Sequence, residues 1–147
     1  RATDKASDVI ASDSYAAWTN AAELEGPRGI KAFRCTDNGR GSTTEQLHDP
    51  KWKAPEGAAL AFGFYCTEPQ SILLSVDPHD RIVAELEIPA SDIWQEMVLP
   101  ADLLIHRETR QPLKDWADIG MLRLKPKAGS DLTKVLFANF RWIRPGQ

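Results

Sequence analysis

The chain has 147 residues, 42% hydrophobic and 27% charged, with 18 Lys and Arg against 21 Asp and Glu for a net charge of −3. That size predicts one domain over residues 1–147, able to bury roughly two thirds of its unfolded surface. Scattered, outnumbered basic residues exclude the concentrated field of a nucleic-acid binder, and no apolar run approaches the ~18 residues of a membrane span.

The sequence opens on Arg1 rather than Met and shows no signal-peptide apolar stretch. It reads as a mature or excised piece of a longer secreted protein. Ten prolines and nine glycines punctuate it, and the intervals are runs of about 6–9 residues rich in β-branched, aromatic and leucine side chains. That rhythm predicts an all-β, two-sheet antiparallel sandwich of about eight or nine strands.

A first strand is expected near Val9 and Ile10. Residues 14–24, alanine-rich with one acid, are the best helical candidate. A strand follows from Gly29 to Arg34, then an irregular stretch over residues 35–49. In the run from Ala59 to Cys66, Leu60, Phe62, Phe64 and Cys66 share one face, while Ala59, Ala61, Gly63 and Tyr65 share the other. Both faces are apolar, which predicts a strand covered on each side. Ile72, Leu74 and Val76 form the next inward set. Asp77-Pro78-His79-Asp80 is a hairpin turn, because aspartates bond their own backbone and proline presets φ. Ile82, Ala84, Leu86 and Ile88 then face inward, with Glu85 and Glu87 outward. Shorter strands follow at Gln95, Met97 and Leu99 and at Gly120, Leu122 and Leu124. Leu136, Ala138, Phe140 and Trp142 are the expected inward set of the last strand.

Cys35 and Cys66 each end a strand-like run. Two readings stand: buried thiols, or a disulfide between neighbouring strands in an oxidising compartment. Nothing nearby would activate either thiol.

Three segments carry a resemblance. They are Trp52-Lys53-Ala54-Pro55 running into Leu60-Ala61-Phe62, then Ile93-Trp94-Gln95-Glu96-Met97-Val98-Leu99-Pro100 with its continuation to Leu103, and Leu113 to Leu124 followed by the closing strand to Ile143. Together they resemble carbohydrate-binding modules and kindred accessory domains of the galactose-binding-like, or jelly-roll, β-sandwich. The likeness covers about residues 50–145. It implies a non-catalytic module, secreted or periplasmic, that binds polysaccharide or oligosaccharide beside a catalytic domain in a longer parent chain. The alternative it leaves is an accessory domain that packs on such a neighbour and binds no sugar. Many members carry an acidic residue in the last strand that serves a structural calcium. Here Ala138-Asn139 stands in its place. No cofactor is required, and a calcium site remains an expectation only if Asn139 meets Asp4, Asp8 or Asp13, of which Asp8 is the chosen partner.

Sugar recognition uses an aromatic ring for the apolar face of a pyranose and Arg, Asn or Asp for its hydroxyls. Trp94 and Trp116 begin strands and are expected to pack at the sandwich edges, and Trp142 belongs to the core. Trp18 and Trp52, in polar surroundings, are the platform candidates. The turn Asp37-Asn38-Gly39-Arg40-Gly41 lies in a long irregular segment, the kind of loop that often carries function. Arg34, Asn38, Arg40, His48, Trp52 and Trp18, with Tyr65, form the predicted ligand set, and Arg34, Arg40, His48 and Trp52 are expected to converge. A second patch joins Arg123, Asn139 and Arg141. No G-x-S-x-G, H-E-x-x-H or phosphate-cradling loop occurs. Glu85 and Glu87, about 7 Å apart on one strand face, do not match the carboxylate pair of a retaining glycosidase.

Overall fold

The computed structural model describes residues 17–144. Ten strands run through them: β1 (Ala21–Glu25), β2 (Lys31–Cys35), β3 (Ser42–Thr44), β4 (Ala59–Tyr65), β5 (Gln70–Ser75), β6 (Ile82–Ile88), β7 (Gln95–Leu99), β8 (Ile105–His106), β9 (Leu122–Pro126) and β10 (Leu136–Ile143). They make two five-stranded sheets, β1-β2-β10-β4-β7 and β3-β9-β5-β6-β8, with every pairing antiparallel. The expected all-β sandwich is therefore the fold. Its two shortest strands, β3 and β8, carry too little pattern to be seen in sequence.

Alternation explains the packing. Leu60, Phe62 and Phe64 of β4 meet Ile72 and Leu74 of β5, Leu86 and Ile88 of β6, and Leu122 and Leu124 of β9 in one apolar cluster between the sheets. Phe62 and Phe140 stack with ring centroids 4.8 Å apart, and Phe33 and Phe137 join them. Each such ring contributes about 2–3 kcal/mol through burial. Two indoles are pinned as well as buried. Trp116 Nε1 donates to the Leu99 carbonyl at 3.1 Å, and Trp142 Nε1 donates to the Trp52 carbonyl at 2.9 Å.

The last strand departs from the alternation expected of it. Phe137, Phe140 and Trp142 point into the core, whereas Leu136 is only half-buried. The register with β4 shifts between Ala138 and Arg141, and Asn139 there takes φ 63°. An inserted residue of this kind flips the facing of every later residue in its strand. Leu136 and Ala138 therefore share the outer face, while Phe140 and Trp142 still point inward.

The helical candidate is also corrected. Within the described residues, Trp18 makes a bridge to Thr44 and Ala21 to Leu24 begin β1, whose five residues pair with β2 from Ala21↔Cys35 to Glu25↔Lys31. Ladder hydrogen bonds override the helix preference of alanine and glutamate. The strand expected at Val9 and Ile10 falls outside the described residues.

Cys35 and Cys66 are both buried free thiols. β10 lies between their strands, because Leu136 is opposite both Arg34 and Tyr65. Two strand spacings of about 4.8 Å hold the cysteine backbones about 9–10 Å apart, beyond the ~7 Å limit for a disulfide. Burial pushes the Cys66 thiol up from its ordinary pKa, against a weaker downward pull from the backbone at Glu68.

Candidate functional site

The small-residue face of β4 is the floor of a groove on the outside of the first sheet. Across that sheet the register sets Ala32, Ala138, Gly63 and Glu96 in one row. The neighbouring row holds Arg34, Leu136 and Tyr65, and on the other side lie Arg141, Ala61 and Val98. The expectation that this face is covered by a second layer is corrected. Ala59 and Ala61 are buried, but Tyr65 is half-buried and Val98 is 44% exposed. The recess has a volume of about 190 Å³ and is lined by Pro27, Arg28, Ile30, Gly63, Trp94, Gln95, Glu96, Ala138 and Asn139.

Trp94 is the aromatic group of this recess. It precedes β7, is half-buried, and lies over Gly63: a Cβ built there would be 3.7 Å from Trp94 Cε3. Tyr65 stands beside it, with ring centroids 5.9 Å apart and planes at 33°. The absence of a side chain at Gly63 lets the indole settle on the sheet. Opposite, Arg141 is fixed by two bonds, Nη1 to the Asn139 carbonyl at 3.1 Å and Nη2 to Glu96 Oε1 at 2.6 Å. Its side chain is 17% exposed, so the guanidinium is held in place before any ligand arrives. The hairpin after β1 supplies Arg28, whose φ of 55° closes a tight turn with Ile30 N–H donating to the Pro27 carbonyl at 2.9 Å. The site thus combines two aromatic rings, an immobilised guanidinium, the Asn139 amide and exposed arginines over a floor of small residues.

The structure distributes the predicted ligand residues differently. Tyr65 and Arg34 lie on this groove face, as does Asn139. Trp18 does not qualify as a platform: it is 4% exposed, stacked on Phe33 at 4.8 Å and packed on Phe140 at 4.9 Å. The polar residues after it in sequence mislead, because a bridge to Thr44 draws Trp18 between the sheets. Asn38 is also corrected. Its amide is committed to structure, donating to the Ser130 carbonyl at 3.3 Å and accepting from Leu132 N–H at 2.6 Å.

The expected convergence of Arg34, Arg40, His48 and Trp52 does not occur. Asn38 and Arg40 sit by Leu132, ahead of the start of β10, while Trp52 bonds Trp142 near its end. The eight residues of β10 span about 26 Å. Arg40 is exposed, its nearest anion being Asp37 at 3.8 Å, and His48 is exposed with its ring against Gly120. Trp52 is half-buried on the core, with the Lys51 ammonium 5.1 Å from its ring centroid. The turn itself is structural: Gly41 takes φ 74°, and a Cβ there would clash with the Leu124 carbonyl.

The second predicted patch is split between sheets. Arg141 and Asn139 face the groove, whereas Arg123 lies on the other sheet, 3.9 Å from Asp80. The glutamates of β6 are engaged there too. Glu85 accepts from Lys127 at 2.7 Å, which holds its carboxyl below the usual range, and Glu87 accepts from the Ser71 hydroxyl at 2.7 Å.

Calcium at Asn139 fits poorly. The groups around that residue are the cationic Arg141, which already occupies its carbonyl, and the bound Glu96. Among the described residues no cluster of three His, Cys, Asp or Glu is assembled to hold a metal. Asp8, with Asp4 and Asp13, lies outside the described residues.

Sequence reasoning puts Trp94 at a sandwich edge, where it does lie, beside the edge strand β7, but does not place it over the recess. The signal was available in β4: a face of Ala, Ala, Gly and Tyr leaves room above the sheet, and an aromatic residue entering the neighbouring strand can fill it.

No family model and no curated protein matches the chain. Solved structures do share its fold. A carbohydrate-binding module of Cellvibrio mixtus lichenase 5A in complex with cellotriose is similar at TM-score 0.57 and 11% identity, over 95% of this chain and 98% of that one. A module of Clostridium stercorarium in complex with cellobiose gives 0.54 and 10%, over 95% of each chain. A family 11 module of Clostridium thermocellum in complex with a mixed-linked tetrasaccharide gives 0.53 and 12%, over 87% of this chain and 89% of that one. This chain shares with these modules the two-sheet antiparallel β-sandwich fold.

Proposed function

We propose that this chain is a non-catalytic sugar-binding module, and that a polysaccharide strand lies in the groove across the β1-β2-β10-β4-β7 face. The observation that carries the reading is the Trp94 indole lying over Gly63 with Tyr65 beside it. An exposed ring face on a rigid sheet is what the apolar side of a pyranose needs, at small conformational cost. Arg141 and Asn139 are the polar groups that would meet the ring hydroxyls of a stacked sugar. The oligosaccharides named with the solved modules of this fold, cellotriose and cellobiose among them, add support. The ligand class in turn favours a secreted or periplasmic protein and a parent chain with a catalytic neighbour.

Affinity electrophoresis against a panel of plant, algal and bacterial polysaccharides tests the reading. At least one polysaccharide retards the wild type, and Trp94→Ala abolishes the retardation with its melting temperature nearly kept. Unchanged retardation in Trp94→Ala removes the groove as the site.

A second reading has one observation behind it. Ile93 and Val98, flanking and within the edge strand β7, are 63% and 44% exposed, which suits an accessory domain packed on a neighbour without sugar. Loss of binding in Trp94→Ala, with Ile93→Ser and Val98→Ser retaining it, decides between the two.

A further inference from the structure

We infer that the groove is built for a polyuronate, a sugar chain bearing a carboxylate on its residues, rather than for a neutral glycan. This rests on the sugar-binding reading and names the ligand class of the same site. The whole chain carries a net charge of −3, yet this face is the opposite. Arg28, Arg34 and Arg141 lie on it, and the carboxylate that the register places among them, Glu96, is bound by Arg141 at 2.6 Å. The acids nearest these arginines in sequence are turned elsewhere: Glu25 pairs in register with Lys31, off the groove rows, and Asp37 accepts from the Gly39 and Arg40 N–H groups of its own turn.

The positions matter as much as the sum. Arg28 lines the recess on the side facing Trp94 across the Gly63–Ala138 floor. Arg34 shares a register row with Tyr65 through Leu136, about 9–10 Å away, or two strand spacings. Both arginines are exposed, so their planar forks can swing to a carboxylate and engage it through two parallel hydrogen bonds. A pyranose stacked on Trp94 and Tyr65 would thereby direct a C5 carboxylate toward one guanidinium and that of a nearby residue toward the other. A neutral chain uses the rings but leaves both cations without partners.

The test uses the full chain and four immobilised or dissolved probes: polygalacturonate, alginate, highly methyl-esterified galacturonan and neutral mixed-linked β-glucan. Isothermal titration and affinity electrophoresis are run at low and at high salt. The expected result is that a polyuronate binds more tightly than both neutral chains and weakens as salt rises. Arg28→Gln and Arg34→Gln each weaken it about five-fold, the effect of an exposed charge contact, with unchanged melting temperatures. Methyl esterification, which removes the charge and keeps the backbone, does the same to the galacturonan. If the β-glucan binds at least as tightly as every polyuronate and both arginine variants bind like the wild type, the polyuronate assignment is overturned while the groove reading stands. If no probe binds, the polyuronate assignment is overturned, and the wider polysaccharide panel with Trp94→Ala decides the groove reading.

Discussion

Gly63 offers the sharpest test of the groove, because two substitutions there should separate stability from binding. A Cβ would lie 3.5 Å from the Ala138 carbonyl oxygen, 3.6 Å from the Gln95 carbonyl oxygen and 3.7 Å from Trp94 Cε3. All three are ordinary contacts, and φ at Gly63 is not in the left-handed region. Gly63→Ala should therefore be accepted, and should stabilise the fold by about 0.5–1 kcal/mol through the lost freedom of the unfolded chain. Ligand affinity should stay within about two-fold. Gly63→Leu adds atoms roughly 1.5 Å beyond the Cβ, inside the space of the indole. Trp94 must then lift off the sheet and lose its alignment with Tyr65. Displacing a central aromatic anchor costs about 2 kcal/mol of binding, roughly 30-fold in Kd. Titration calorimetry reads the affinity, thermal melting the stability, and tryptophan emission reports the displaced ring. Wild-type affinity in Gly63→Leu alongside a red-shifted emission would refute the platform role of Trp94.

Three further outcomes rest on the same packing. Trp18→Ala should cost about 3–5 kcal/mol of stability, as aromatic deletions in a core do; a variant that melts like the wild type but loses ligand would restore Trp18 as a platform. Burial opposes charge on Asp80, but the Ser75 hydroxyl, Lys125 and Arg123 outweigh it and hold the carboxyl below its usual pKa. Asp80→Asn, which tolerates the local φ of 55°, should therefore lose about 1–2 kcal/mol at neutral pH. The lowered folded value places this contribution above the unfolded pKa of about 3.9, so the gap between wild type and variant should close as pH falls below about 4. A gap persisting in acid speaks against the ion cluster. Finally, a thiol reagent should find no reactive cysteine in the native chain and both Cys35 and Cys66 after denaturation without reductant; a denatured chain lacking thiols would contradict the two-strand separation.

The sandwich was legible because its signals are redundant. Turn residues, alternation in β4, β5, β6 and β9, and the Asp77 turn all agree, and Asp77 indeed accepts from the backbone of His79, Arg81 and Ile82. Parity failed in β10 because a bulge at Asn139 has no fixed sequence signature. The site was less legible. Arg34 and Tyr65 were named for the ligand and lie on the groove face, but they were joined to loops at both ends of the molecule. Which loops meet depends on strand order, and β10 inserting between β2 and β4 is a long-range fact. Local polarity misassigned Trp18, whose burial is decided by Phe33 and Phe140 from distant strands. Trp94 does sit at the sheet edge expected of it, but its half-exposed seat depends on a glycine more than thirty residues away.

The indole N–H signals give the most direct measurement. Five tryptophans yield five resonances in a proton–nitrogen correlation spectrum, assignable by single substitution. On addition of an oligosaccharide cut from the retained polysaccharide, the Trp94 signal should shift in step with saturation, while those of Trp18, Trp116 and Trp142 hold still. A titration that moves Trp52 and leaves Trp94 fixed would place the ligand in the loops and contradict the groove.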